Sequence, residues 1–588
     1  MKAKINYNNN FKLNPINIQI LWNRLITIVD EAATGLIRTA YTPSVKEYHD
    51  FCCALFDANA QMLSHSTITT AGFLGIVPEV MKNFLKEFPA NSLKPGDVLI
   101  TNDPWIASGH LIDISVASPI FYRNKIVGYT LCIVHHLDMG GRMSTLESKD
   151  VFEEGLKIPI LKLYNRGKLN KTIFEFIKAN LRVPDKVLGD VRAQLVANNV
   201  CTKGLQNLLK EYNLIGLEEL GAEVIDRTEK SLRHKIKLLP DGSYRNDVVL
   251  PLIPGCNDKI EIKTLVTVSK DEIIIDYTGS SGEIRAAVNC SYNMTRSYTS
   301  YPIKLALDPT IPNNDGGLRP IKIVAPEGSI VNSRPPAATW GRTMISHLFP
   351  EIIFAAMAKI IPSKILASNG GSPANEMYLH GKAKGGRSFL AISQHSGGYG
   401  ASELFDGHPC LCFPNNTSNI PIEVTENEAN MYYIKKEFLV DSGGPGKNRG
   451  GLGQEVEFCI LDNKEQDNYV ETSVRLSGRT EKGTFPVSGM MGGQKGRGSG
   501  MWIDGKEVDH GIYRRLKPNS VVKFIISGGG GFGDSYKRDP SKVLNDVKKG
   551  YVSIIAAKRD YGVIIDKKTL TLNKQSTAKL RKQKNVQK

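Results

Sequence analysis

The sequence predicts an α+β fold, with a helix-rich, metal-binding N-terminal part packed with a larger β-rich, glycine-rich C-terminal part. Three observations predict it. Apolar residues recur at helical spacing near the N-terminus and through most of 171–237. Between Pro240 and about Ile330 they alternate instead, in short runs bounded by turn residues. After Ser368 glycine rises sharply, with short strand-like runs between. The organisation that follows is a metal-binding region over 1–240, a β-rich region with glycine-rich turns over 241–550, and a C-terminal segment over 551–588 ending in a mobile basic tail. The chain has 588 residues, 41% hydrophobic and 23% charged, an ordinary globular composition.

The elements can be justified in order. Asn14-Pro15 is a helix start, a capping side chain followed by a proline whose missing N–H costs nothing there. Leu21, Leu25, Ile28, Val29, Ala32, Leu36 and Ile37 then line one face, and Pro43 ends the helix. Residues 50–57 (DFCCALFD) read as a strand, 76–88 as an amphipathic helix, and 96–103 (GDVLITND) as a strand running into a polar loop. Ile126 to Val134 is nearly all apolar and predicts a strand buried on both faces. Helices are expected over 292–307, 349–361 and from Pro540 to about Lys549. Asp504-Gly505 marks a hairpin. The glycine loop DSGGPGKNRGGLG is expected to make tight strand-to-strand turns, with an anion site on its backbone N–H groups as the alternative, and GGGGFGD is read as a loop after a strand. Neither reads as a nucleotide site: the first lacks a lysine-hydroxyl ending, and the second is followed by DSYKRDP where a dinucleotide fold opens a helix.

The chemistry concentrates between Asp103 and Gly141. Two His-x-x-Asp units lie there, His110/Asp113 and His135/Asp138. A divalent ion takes three or four imidazole and carboxylate ligands with one position open. His110 and Asp113 can share an ion on a loop, which Ser108-Gly109 favours, and His135 at a strand end can complete the set. Asp50, beside the 50–57 strand, is the candidate fourth ligand. Adjacent strand residues face opposite ways, so only one of His135 and His136 enters a given site. The alternative is a set of hydrogen-bonded His–Asp pairs tying loops together.

Other classes are disfavoured. The net charge of +16 is read as scattered surface lysine rather than a nucleic-acid surface, since no aromatic-interleaved basic patch accompanies it. No run of 18 apolar residues suggests a membrane span. Nine scattered cysteines and a polar N-terminus suggest a cytoplasmic protein. No G-x-S-x-G elbow is present, and Cys52-Cys53 sits in an apolar strand where packing is the simpler role.

These segments, taken together, resemble the hydantoinase B/oxoprolinase family. NDPWIASGHLIDISVASPIF is similar to its NDP…GGTHLxD segment and HHLDMGG to its HxxDxGG loop. EEGLKIPILKLY, DVRAQLVAN, LPDGSY, DYTGSS, DSGGPGKNRGGLG and GGGGFGD follow in the family's order. The resemblance implies one divalent metal ion, Zn or Mn, on Asp50, His110, Asp113 and His135. It implies ATP bound by a large hydantoinase A/oxoprolinase-type partner subunit, a hetero-oligomer, and a small cyclic amide as substrate. His136 and Asp138 become the candidates for proton transfer at the site. Ala107–His110 reads ASGH where the family has GGTH, a departure that bears on loop shape. Two alternatives remain: the metal-bearing subunit of an ATP-dependent ketone carboxylase of the acetone or acetophenone type, and a noncatalytic scaffold subunit.

Overall fold

A computed structural model describes residues 13–586 apart from 255, 374, 383–387, 462–469, 478 and 480–484. The polar N-terminal stretch 1–12 therefore lies outside the described residues. Mixed helix and sheet is found throughout, as the patterning predicts.

The first helix runs Pro15–Thr39, and the Asn14 side chain caps it by accepting from the Asn17 N–H at 2.9 Å. It stops four residues before Pro43, which instead opens a short helix of its own, Pro43–Lys46. The N-terminal sheet comprises β1 (Phe51–Asp57), β2 (Met62–His65), β3 (Val98–Thr101), β4 (Asp113–Tyr122), β5 (Lys125–His135), β6 (Leu161–Asn165) and β7 (Lys168–Leu169). Its order is β2-β1-β5-β4-β3-β6-β7, and every pairing is antiparallel.

The two faces of this sheet bury different cores. Phe51, Cys53 and Leu55 of β1, with Cys132 and Val134 of β5, pack on the first helix and the helix Pro184–Glu211. Cys52, Ala54 and Phe56, with Tyr129, Leu131 and Ile133, pack the other way. That second core gathers side chains from Cys52 to Phe532, including Val266, Tyr298 and Phe349, and so crosses position 240. Burying each large apolar side chain contributes roughly 1.5–3 kcal/mol, which makes a strand covered on both faces the most firmly held element available.

The C-terminal part contributes a sandwich. The strand Asn375–Lys382 lies between Ser388–His395 and Val470–Arg475 in a four-stranded sheet. Met377 and Leu379 on one of its faces pack against Val456, Phe458 and Phe524 of a five-stranded sheet. The other face, with Glu376 and Tyr378, looks towards the N-terminal sheet.

The glycine-rich segments are not tight turns. Segments 397–400, 443–453, 489–496 and 527–533 run side by side and hydrogen-bond in several directions. Gly529 N–H donates to Gly451 O at 2.9 Å, Gly530 N–H to Ser368 O at 2.8 Å, and Gly531 N–H to Gln494 O at 2.9 Å. Backbones approach so closely that a Cβ on Gly528 would lie 2.0 Å from Ser442 O. Glycine is needed there for contact distance rather than for a turn angle. Residues Lys574–Val586 form a helix, tied down by the Thr577 hydroxyl, which accepts from Ile564 N–H at 3.0 Å, and by Arg581, which donates to Tyr561 O and Arg538 O.

Candidate metal centre

The site forms where three neighbouring strands end. In the β1–β5 ladder Phe51 faces Val134, and one residue on, His135 N–H donates to Asp50 O at 3.0 Å. In the β4–β5 ladder Asp113 faces His135. Asp50, His135 and Asp113 thus stand in one row across β1, β5 and β4. Side chains alternate along a strand. His135 shares the face of Ile133, towards the interior shared with the C-terminal part, while His136 shares the face of Val134. His110 arrives from the loop before β4. Gly109 there has φ +83°, and a Cβ on it would meet Arg342 Cδ at 2.9 Å, so the loop closes on Arg342 only with glycine at that position.

The three central side chains converge tightly. Ligand atoms of His110, Asp113 and His135 lie within 4.8 Å of one another, all buried. His110 Nε2 is 2.8 Å from Asp113 Oδ2, and His135 Nδ1 is 2.9 Å from Asp113 Oδ1. Asp50 stands a step outside, with Oδ2 3.8 Å from His135 Nδ1, and takes the Thr70 hydroxyl on Oδ1 at 2.8 Å. All four line one small cavity of about 20 Å³ with Phe73, Ile76, Met294, Tyr298, Thr343, Glu376 and Asn415.

Burial and neighbouring charge set the protonation. Burial raises the Asp50 carboxyl to about 6, against the opposing pull of His135. Burial, aided by Arg342, pushes His110 down to about 3. Burial opposes the Asp113 charge, yet His110 and His135 hold that carboxyl well below the usual range. Burial also opposes a charged His135, but its bond to Asp113 and the charge of Asp50 raise it.

The donor set fits a divalent cation. Two imidazoles and two carboxylates meet in a buried space, a mixture that Zn, Mn and Fe accept. His110 Nε2 is buried and makes no hydrogen bond to a described residue, because its 2.8 Å approach to Asp113 is poorly aligned for one. Arg342 Nη1 donates to His110 Nδ1 at 2.5 Å, so in the absence of an ion the ring proton sits on Nε2, facing Asp113. On the other ring Tyr378 OH lies 3.3 Å from His135 Nε2, which leaves Nδ1 as the nitrogen turned towards both carboxylates.

His136 and Asp138 are placed elsewhere. His136 Nε2 lies 3.2 Å from Gln194 Oε1 on the helix Pro184–Glu211, and burial lowers the ring to about 3. Asp138 is fully buried and accepts from the backbone N–H groups of Gly140, Arg182 and Val183 and from the Arg182 guanidinium. Neither lines the cavity. Strand parity turns His136 away, and Asp138 is engaged by its own loop at Gly140 and by Arg182 and Val183 ahead of the helix Pro184–Glu211.

Sequence reading missed what the rest of the chain supplies. Arg342 donates to Ser108 O, His110 Nδ1 and Asp113 Oδ2. Tyr378, Glu376 and Tyr298 come from still other elements. One signal was available for Arg342: a lone arginine inside the apolar run AATWGRTMISHL needs a buried partner. Nothing local marks the others.

The profile of the hydantoinase B/oxoprolinase family matches residues 14–535. An uncharacterized protein of Methanocaldococcus jannaschii is 31% identical, over 97% of this chain and 100% of its own length. The B-type subunit of a putative D-/L-hydantoinase from a Pseudomonas species is 28% identical, over 94% of this chain and 96% of its own. The crystal structure of an ATP-dependent caprolactamase from Pseudomonas jessenii superposes with a TM-score of 0.86 at 25% identity, covering 97% of this chain and 100% of that one. A matching profile over most of the chain, a shared fold and the His–Asp–His group together lead to one conclusion: the chain belongs to the hydantoinase B/oxoprolinase family.

Proposed function

We propose that this chain is the metal-bearing B-type subunit of an ATP-dependent cyclic amide hydrolase, working in the cytoplasm with a large ATP-binding partner of the hydantoinase A/oxoprolinase type. The observation that carries the reading is the buried convergence of His110, Asp113 and His135 beside Asp50, in a chain whose relatives include a putative hydantoinase and an ATP-dependent caprolactamase. A cyclic amide is resonance-stabilised, and phosphorylation of its oxygen by the partner makes the carbon electrophilic. A Zn or Mn ion held by Asp50, His110, Asp113 and His135 would lower the pKa of a water and stabilise the oxyanion.

The protein's own residues prepare that step. Asp113 bonds the His135 ring and stands 2.8 Å from His110 Nε2, so it lies between the two imidazoles. Tyr378 fixes the His135 ring, and Arg342 ties the His110 loop to Asp113. Phe73, Ile76 and Met294 exclude bulk water from the cavity. His136 and Asp138 act at one remove, His136 by joining β5 to Gln194 and Asp138 by fixing the loop after it.

Metal analysis of the purified chain should find about one ion per chain, lost in the double variant His110→Ala/His135→Ala. Full occupancy in that variant would sink the site assignment. Coexpression with a large ATP-binding subunit should give a complex that hydrolyses ATP only when a cyclic amide or imide is present. ATP turnover that needs bicarbonate and a ketone would establish a carboxylase instead, and a complex with no turnover would leave a scaffold.

A further inference from the structure

The helix Tyr292–Leu307 borders two cavities. Met294 and Tyr298 line the small one at the candidate metal centre, while Ser297, Ser300, Tyr301 and Lys304 line a larger one of about 100 Å³. The other walls of the larger cavity are mostly apolar, with Leu74, Leu305 and Leu318 among them. Lys304 is the one charged residue in its described lining.

A lysine ammonium carries three donors. In Lys304 two of them go to backbone carbonyls, Asp308 O and Ile311 O, the second at 2.9 Å. Lysines often cap the last carbonyls of a helix, and an exposed one has water as well. Lys304 is instead half-buried, and among the described residues no carboxylate pairs with it. Asp308 acts on it through space but gives Oδ2 to the Ser231 hydroxyl at 2.7 Å. Burial pushes the ammonium down to about 8 against that pull, the direction expected of a cation short of counter-charge.

A half-buried cation without a counter-ion, set in apolar walls, is the complement of a small anion with an apolar body. One Lys304 donor remains, and the Asn313 amide lines the same space. Two donors match the two oxygens of a carboxylate, whereas a phosphate wants more. A cavity of ~150 Å³ holds benzene, so this one takes about four to six heavy atoms.

We propose that this cavity binds a short unbranched carboxylate, acetate to butyrate in size. One oxygen accepts from the third Lys304 N–H and the other from the Asn313 amide, with the alkyl chain against Leu74, Leu305 and Leu318. The site is separate from the candidate metal centre and does not rest on the cyclic-amide reading. An open-chain ω-amino acid, the product of lactam hydrolysis, is disfavoured here because its ammonium meets no carboxylate in the lining.

Ligand-observed NMR titration of the full chain tests this, in chelator so that no ion competes for the carboxylate. The ligands are acetate, propionate, butyrate, hexanoate, butyramide and 4-aminobutyrate. Affinity should rise about 4-fold with each methylene up to butyrate and no further at hexanoate. Butyramide and 4-aminobutyrate should bind about 10- to 100-fold more weakly than butyrate. Lys304→Met keeps the stem without the charge and should erase the difference between butyrate and butyramide. Lys304→Gln keeps a neutral donor and should do the same. Equal binding of butyrate and butyramide by wild type, binding of no acid, or a butyrate preference that survives both substitutions would each overturn the inference. So would tighter binding of 4-aminobutyrate than of butyrate, which would make the hydrolysis product the ligand.

Discussion

Asp113→Asn tests the centre at its most connected residue. Asp113 is fully buried, and its two oxygens meet the Ser108 hydroxyl, the Arg342 guanidinium and both imidazoles. Asparagine keeps the shape and removes the charge, which leaves Arg342 buried without its counter-ion. Breaking a buried pair from one side costs roughly 3–5 kcal/mol. The depressed carboxyl of Asp113 fixes the sign of the pH dependence. Its contribution is present above the ordinary carboxyl value and is lost only as pH falls through the lower folded value, so the whole difference shows at pH 7. Hydrogen exchange reads local opening at the site itself, where a melt reads the whole chain. Hydrogen exchange at the adjoining ends of β4 and β5 should speed up about 100- to 5,000-fold in chelator, the 3–5 kcal/mol expressed as a rate ratio. Zn at 100 times its dissociation constant should then slow wild-type exchange by a further ~100-fold, about 2.7 kcal/mol. The variant should show no such slowing. Wild-type exchange in the chelated variant, or equal slowing by Zn, would refute the role assigned to Asp113.

Gly109→Ala meets both a positive φ and the Arg342 side chain, so it should cost about 1–3 kcal/mol and lower metal content without touching a ligand, read by thermal melts and metal analysis. Burial pushes Glu154 up to about 8 although it accepts the N–H groups of Thr339 and Trp340. A raised carboxyl contributes stability below its unfolded value, and that contribution is lost as pH rises through about 8. Wild-type melting temperature should therefore fall between pH 5 and pH 9 by more than that of Glu154→Gln. Gly528→Ala would drive a Cβ to 2.0 Å from Ser442 O and should abolish soluble expression, whereas Gly505→Ala, with nothing near its Cβ, should cost only about 1 kcal/mol for its positive φ.

Much of the architecture was legible because it is written in local periodicity. The nearly all apolar run 126–134 predicted β5 covered on both faces, and strand alternation already required His135 and His136 to part company. The glycine segments misled because composition does not distinguish a turn from an extended backbone packed against other backbones. The helix in the tail was not legible because its sequence is polar, while the contacts it makes, Thr577 with Ile564 and Arg581 with Tyr561 and Arg538, are tertiary. The site residues divide in the same way. His110, Asp113 and His135 are close in sequence and carry a spacing. Arg342 and Tyr378 reach them across separations of 232 and 243 residues, and no window of sequence holds both partners.

That division has a physical consequence. The N-terminal sheet alone can set Asp50, His135 and Asp113 in a row, because register does so. A row of strand ends is open to water, where carboxylates and imidazoles are well solvated and gain little from converging. What would let the row hold a cation is its enclosure. The strand Asn375–Lys382 lays Tyr378 against His135 and Glu376 against the cavity, and the segment around Arg342 ties down the His110 loop. The same strand sends Met377 and Leu379 into the core of the sandwich, so its site-facing side chains are held by packing on the opposite face. A lesion in that sandwich should therefore loosen the centre without altering a ligand, since alternation along one strand couples the two faces.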